Sequence, residues 1–269
     1  MRVFYLPILL LSVSLAVSIF LYFSPDDFNI YRPGWIYKEV EIKSRLLSLP
    51  IILYHNIDGN GEFSIDYEAL KSHFFFFKDR KIKVIPLDQL IQKLENPGPF
   101  IENALVITFD DGFYSMHSKL QTLAKEFKYP VTLFVYADFI KPAGSGILTW
   151  NLLRAMDSEG IDIQCHSISH LDLTKFSQKD DIESKKMLFD EIYLSKRIIE
   201  LYLRKKISYF AFPFGRYDLK TVDLAVNAGY RRVFSTDYGH NIITRDNFCL
   251  RRHHVKKAYS LDYIEKIIK

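Results

Sequence analysis

Cysteine is scarce. The 269-residue chain has two, Cys165 and Cys249, each in an apolar run. An exported chain could join them, but buried free thiols are the expected state. An excess of one charge sign is also missing, since the formal net charge is only +4. The basic pairs Arg231-Arg232, Arg251-Arg252 and Lys256-Lys257 are interleaved with apolar residues. They read as surface and strand-end charge, and no nucleic-acid partner is expected. Charge is missing altogether from Val3 to Phe23. As a helix that stretch is about 31 Å long, the thickness of a bilayer core. Arg2 precedes it and Asp26-Asp27 follow it, so the positive-inside rule puts the rest of the chain outside the cytoplasm. A cleaved signal peptide is the rival reading, but the segment stays bulky through Ile19-Phe20-Leu21-Tyr22-Phe23.

What is present is a globular composition, 48% hydrophobic and 25% charged. The expected organisation is a membrane anchor over 1–23, a connecting arm over 24–49 and one domain over 50–269. Within that domain apolar or β-branched runs recur at Ile51–Tyr54, Ile82–Ile85, Ala104–Phe109, Val131–Val135, Ile161–Cys165, Ile207–Phe212, Arg231–Ser235 and Phe248–Arg252. Helical patterns fall between most of them: Tyr67–Asp79, Leu87–Leu94, Tyr114–Phe127, Asn151–Asp157, Asp180–Lys205 and Leu219–Asn227. Ser64 and Thr149 read as helix N-caps and Gly229 as a helix stop. The alternation predicts an α/β fold, a parallel sheet of seven to eight strands closed as a (β/α) barrel behind one N-terminal transmembrane helix.

Polar residues follow the predicted strands in a consistent place. His55-Asn56 follow the first, Asp110-Asp111-Gly112 end the third, His166 follows the fifth and Pro213-Phe214-Gly215 follow the sixth. The C-terminal ends of barrel strands line one rim, so these features converge. Asp-Gly alone is a common turn, and two histidines four apart alone are a weak signal. Together, two carboxylates and two imidazoles on one rim make a site for a divalent ion with a base beside it. Asp and His suit Zn²⁺, with Co²⁺, Ni²⁺ or Fe²⁺ as other occupants. Ser167 and Ser169 are placed to support the histidines. Phe212-Pro213-Phe214-Gly215 reads equally as a strand end or as an aromatic wall for a sugar ring. Phe74–Phe77 reads as core, and His73 and His117 as surface residues on helices.

Thr108-Phe109-Asp110-Asp111-Gly112 with His166-Ser167-Ile168-Ser169-His170 closely resembles the polysaccharide deacetylase family, carbohydrate esterase family four. Leu53-Tyr54-His55, Thr132–Val135, Leu148-Thr149-Trp150, Glu191 with Ser195-Lys196, Phe210–Gly215, Gly229-Tyr230 and Leu250-Arg251-Arg252 agree as well. The resemblance is strongest to the branch acting on poly-N-acetylglucosamine. It implies a distorted (β/α) barrel in which Asp111, His166 and His170 hold the metal and Asp110 is the general base. It also implies N-deacetylation of N-acetylglucosamine residues in an extracytoplasmic polysaccharide, with release of acetate. Pro213, Phe214 and Trp150 would contact substrate. Such a location admits partners in polysaccharide synthesis or export. Alternatives are a peptidoglycan N-acetylglucosamine deacetylase and a carbohydrate-binding barrel without activity.

Two positions depart from the family pattern. Ala211 stands where many members carry an Arg that orients the base. Leu250-Arg251-Arg252-His253-His254 stands where many carry Leu-x-His, whose histidine protonates the leaving amine. The acid is therefore sought among His55, His253 and His254, with His55 first and His253 next.

Overall fold

The computed structural model describes residues 49–96, 102–140, 147–239, 241 and 248–268. The proposed anchor, and the arm except for Leu49, lie outside the described residues. No helix among the described residues is long and apolar enough to cross a membrane.

Nine strands are present among the described residues, and every pairing between them is parallel. They are β1 (Ile51–Tyr54), β2 (Lys83–Val84), β3 (Ala104–Asp111), β4 (Val131–Val135), β5 (Ile161–Cys165), β6 (Tyr209–Ala211), β7 (Arg232–Phe234), β8 (Cys249–Leu250) and β9 (His253–His254). The sheet order is β8-β7-β6-β5-β4-β3-β1-β9, with β2 on β3 off this path. The two ends of that order, β8 and β9, are neighbours in the chain, separated only by Arg251 and Arg252. Three peptide steps reach about 11 Å, so the sheet must curl until its edges nearly meet. The fold is thus a curled α/β barrel of parallel strands, as expected. The β8–β9 step replaces the single strand anticipated over Phe248–Arg252.

The burial pattern follows from strand alternation. Along β3, Leu105, Ile107 and Phe109 face outward into the layer covered by helices. Ala104 and Val106 face the barrel interior with Ile51, Phe134, Tyr209, Ala211, Phe234 and Leu250. The outer layer is covered by α1 (Tyr67–Asp79), α3 (Gln121–Phe127), α4 (Trp150–Ser158), α5 (Thr174–Ser177), α6 (Ile182–Phe189), α7 (Ser195–Leu203), α8 (Leu219–Asn227) and α9 (Leu261–Ile268). One helix differs. α2 (Leu87–Glu95) places Leu87, Leu90, Ile91 and Leu94 in the interior cluster instead. It plugs the N-terminal mouth, where Arg231 ties Asp88 to Glu95. With one mouth closed, chemistry is left to the other.

Several local expectations change. Thr149 does cap α4, accepting from the Leu152 amide. Ser64 caps no helix and instead organises its own loop, donating to Asp58 and accepting from the Gly59 amide. Phe74 and Phe77 are core, but Phe75 is exposed. His73 is buried and shares a hydrogen bond of 3.0 Å with the Tyr54 hydroxyl, so it is no surface residue. Cys165 and Cys249 are both free thiols.

Candidate active site

Every strand end at the open mouth delivers a polar or aromatic group. Register makes this legible: Tyr54 pairs with Phe109, Asp111 with Val135, Val135 with Cys165 and Ala211 with Phe234. The residues just beyond these levels, His55, Tyr136, His166, Phe212 and Ser235, therefore share one rim.

Asp110 keeps the inward parity of β3 and is 2% exposed. Its partner is Arg252, which is fully buried between β8 and β9. Arg252 Nη1 and Nη2 donate to the two Asp110 carboxylate oxygens, each at 2.7 Å, and Nε donates to the Ser235 carbonyl. The guanidinium also lies over the rings of Phe134 and Phe234. Burial alone would raise the Asp110 pKa, but the Arg252 charge and hydrogen bonds outweigh it and hold the carboxyl well below the usual range. Arg252 was expected at a strand end among surface charges; the two-residue step between strands turns it inward instead. It supplies the cationic partner that Ala211 cannot.

Asp111 leaves the strand in a left-handed conformation, φ +84°, and Gly112 follows at φ +121°. This bend carries its carboxylate to 3.6 Å from His170 Nε2 and 3.8 Å from His166 Nε2. One ligand atom from each of Asp111, His166 and His170 fits within 4.8 Å of the others, a spacing suited to one metal ion. The histidines are prepared for that task. His166 Nδ1 lies 2.8 Å from the Ala211 carbonyl, which fixes its proton there and leaves Nε2 with a free lone pair. Burial pushes the His166 pKa down to about 4, so the ring is neutral, as a ligand must be. Burial and the Asp110 charge push Asp111 up to about 7; a bound cation would reverse that shift.

The loop carrying the histidines is pinned from below. Glu191 accepts from the amides of Ile168 and Ser169, at 2.9 and 3.0 Å, and from the Ser169 hydroxyl. It lies in a π-helical turn, Asp190–Leu194, inserted between α6 and α7. Ser167 Oγ accepts from the His170 amide. Eight non-glycine residues among those described have positive φ, and four of them, Asp111, Ser167, His170 and Phe214, belong to this site. Backbone strain is concentrated where the ligand geometry demands it.

Other predicted site residues fall in different places. Phe214 is 56% exposed and meets the His170 ring edge-on at 4.6 Å. Pro213 is buried. Gly215 is required there, since a Cβ would collide with the Thr236 backbone nitrogen. Trp150 stacks flat on Tyr202 of α7 at 4.4 Å, so its ring is engaged on the helical layer. His254 pairs in register with inward-parity Leu53, and its Nε2 lies 3.1 Å from His55 Nδ1. His253 pairs with Ile52, on the opposite face, against Tyr238. Geometry therefore places His254, rather than His253, beside His55. Sequence reasoning overlooked Tyr136, whose ring centre is 5.1 Å from that of His170. The rule that located His55, a polar residue directly after a buried strand, also applies to it.

Residues 98–233, half of the chain, match the family model described as Polysaccharide deacetylase. The chain belongs to the polysaccharide deacetylase family. It is accordingly a hydrolase of amide bonds, a polysaccharide N-deacetylase. The matched span holds Asp110, Asp111, His166 and His170; His55, Arg252 and His254 lie outside it. YxkH of Bacillus subtilis (strain 168), a protein named for the same family, is 25% identical over 227 residues, covering 83% of this chain and 74% of its own. Among solved structures, the deacetylase PplD of Streptococcus pyogenes, in complex with acetate, superposes with a TM-score of 0.73 at 19% identity, over 83% of this chain and 99% of its own. IcaB from Ammonifex degensii gives 0.72 at 18% identity, over 82% and 97%. At these identities the two structures speak for the fold.

Proposed function

We propose that this deacetylase is metal-dependent and removes N-acetyl groups from N-acetylglucosamine residues of an extracytoplasmic polymer, poly-N-acetylglucosamine, releasing acetate. The observation that carries the reading is the buried Asp110–Arg252 pair beside the Asp111, His166 and His170 cluster. A carbohydrate-binding barrel has no use for a fixed base next to a metal site.

Asp111, His166 and His170 would hold the ion, and their two neutral imidazoles and one carboxylate suit Zn²⁺. When bound, such an ion lowers the pKa of its water towards about 7 and polarises the acetyl carbonyl. Asp110, aligned by Arg252, takes the proton of the attacking water. His55, on the same rim, delivers a proton to the leaving nitrogen. Phe214, exposed beside His170, supplies a face for the sugar ring. The uncharged Val3–Phe23 segment would hold the domain outside the membrane, with the arm over 24–49 as tether and export or synthesis machinery within reach.

The test is direct. The zinc-loaded full-length protein is incubated separately with poly-N-acetylglucosamine and with peptidoglycan, and acetate is measured. Release from the first polymer is expected. Release from peptidoglycan alone would transfer the reading to that substrate, and release from neither would favour a binding role.

A further inference from the structure

The His55–His254 contact has no place in the metal cluster, yet it sits on the same rim. His254 Nε2 lies 3.1 Å from His55 Nδ1, and the two rings are 4.5 Å apart. Phe63 stacks on His254 at 4.3 Å with its plane only 17° away. The Lys256 ammonium also lies over the Phe63 ring, at 5.4 Å from its centre, and pairs with Glu62. His254 is thus clamped between a ring that orders it and the nitrogen it faces. The strand supports this, since β9 pairs with β1 and sets Leu53 opposite His254, two residues before His55 and so on the same face.

We propose that His254 is a positioning residue for proton transfer by His55: its Nε2 accepts from His55 Nδ1–H, so that His55 Nε2 is the nitrogen that takes up and passes on the reacting proton. This rests on the reading of His55 as the acid. The assignment gives His254 its own proton on Nδ1 and His55 its proton on Nδ1. His55 Nε2 then carries a lone pair. It receives from Asp110 the proton that Asp110 took from the attacking water, and the imidazolium so formed is stabilised by the acceptor on its other nitrogen. As the carbon–nitrogen bond breaks, its electron pair passes to nitrogen and Nε2–H is transferred there. His55 returns to the neutral Nδ1–H form without moving, because the bond to His254 persists throughout.

The surrounding charges explain why such a partner is needed. Asp110 favours a charged His55, whereas burial and the charges of Arg252, His166 and His170 oppose it, and its pKa is pushed down to about 4. For His254, burial and then the charges of His55, Arg252 and Lys256 outweigh the opposing pull of Asp110, and its pKa is held lower still, at about 3. It therefore stays a neutral acceptor. Without an acceptor on Nδ1, the imidazolium of His55 would be harder to form.

Four forms of the full-length, zinc-loaded protein decide the matter: wild type, His55→Ala, His254→Phe and His254→Gln. Phe keeps the stacking on Phe63 but cannot accept; Gln offers a carbonyl oxygen in its place. His254→Phe should lower kcat roughly ten- to hundredfold with KM little changed. It should also move the acidic limb of the kcat profile to lower pH, because His55 must start neutral and its imidazolium is harder to form without the acceptor. His254→Gln should restore most of the rate and the position of the limb. On the wild-type protein itself, NMR of the imidazole nitrogens should show neutral His55 protonated at Nδ1 and bare at Nε2. The inference is overturned if His254→Phe matches wild type, if His254→Gln is as impaired as His254→Phe, or if the spectrum shows His55 protonated at Nε2. Failure of the acid reading looks different: His55→Ala would then turn over normally.

Discussion

Arg252 and Asp110 are 142 residues apart in the chain, yet they meet in two hydrogen bonds of 2.7 Å inside the barrel. Both are almost wholly shielded from water. A buried ion pair gains little over an apolar pair, but breaking it strands a charge. Arg252→Ala is expected to cost about 3–5 kcal/mol of stability for that reason. The double variant Asp110→Asn with Arg252→Met should recover much of that loss, since neither member is then left charged. Denaturant unfolding of wild type, Arg252→Ala and the double variant measures it; a double variant no more stable than Arg252→Ala would count against the pair as described. Arg252→Lys keeps the charge but not the two-pronged geometry, and should lose activity.

Asp110→Asn is expected to retain its metal and lose a factor of roughly 10² to 10⁴ in rate. Metal content and acetate release, measured on the same preparation, separate these effects. A near-normal rate would assign the base elsewhere.

Metal binding by Asp111, His166 and His170 predicts about one divalent ion per chain. His166→Ala and His170→Ala should each abolish it, as read by elemental analysis. Unchanged metal content in both would remove these side chains from the ligand set.

Glu191 touches no ligand atom, but it holds the amides of Ile168 and Ser169 between the two histidines. Glu191→Gln leaves an amide that cannot accept as a carboxylate does. Metal affinity should weaken by about 10- to 100-fold with all three ligands in place. Competition titration against a chromophoric chelator gives the number.

His73 ties stability to pH. Burial holds its pKa down to about 4, against 6.5 for the free side chain. The unfolded chain therefore binds a proton first as pH falls. The stability tied to neutral His73 is complete above 6.5 and shrinks on acidification towards 4, by about 3 kcal/mol for this one group. His73→Gln can still bond the Tyr54 hydroxyl, and its unfolding free energy should fall less steeply over that window. An unchanged slope would mean that His73 does not titrate this way.

How much of this could be read from the chain depends on the distance over which each cause acts. Alternating apolar runs and helical patterns are local, so the parallel α/β barrel and the rim bearing Asp110, Asp111, His166 and His170 were legible in the sequence. The short motifs carried the family for the same reason: adjacent carboxylates and histidines four apart are visible without a fold. What the tertiary structure decided are pairings across the barrel and the facing of side chains at irregular points. The two-residue step between β8 and β9 interrupts a run that reads as one strand. Only the curled sheet shows that this step turns Arg252 inward against Asp110, and that His254 rather than His253 meets His55. A strand's alternation is a property of sequence; where the strand breaks, and which strand lies opposite, is set by closure of the sheet.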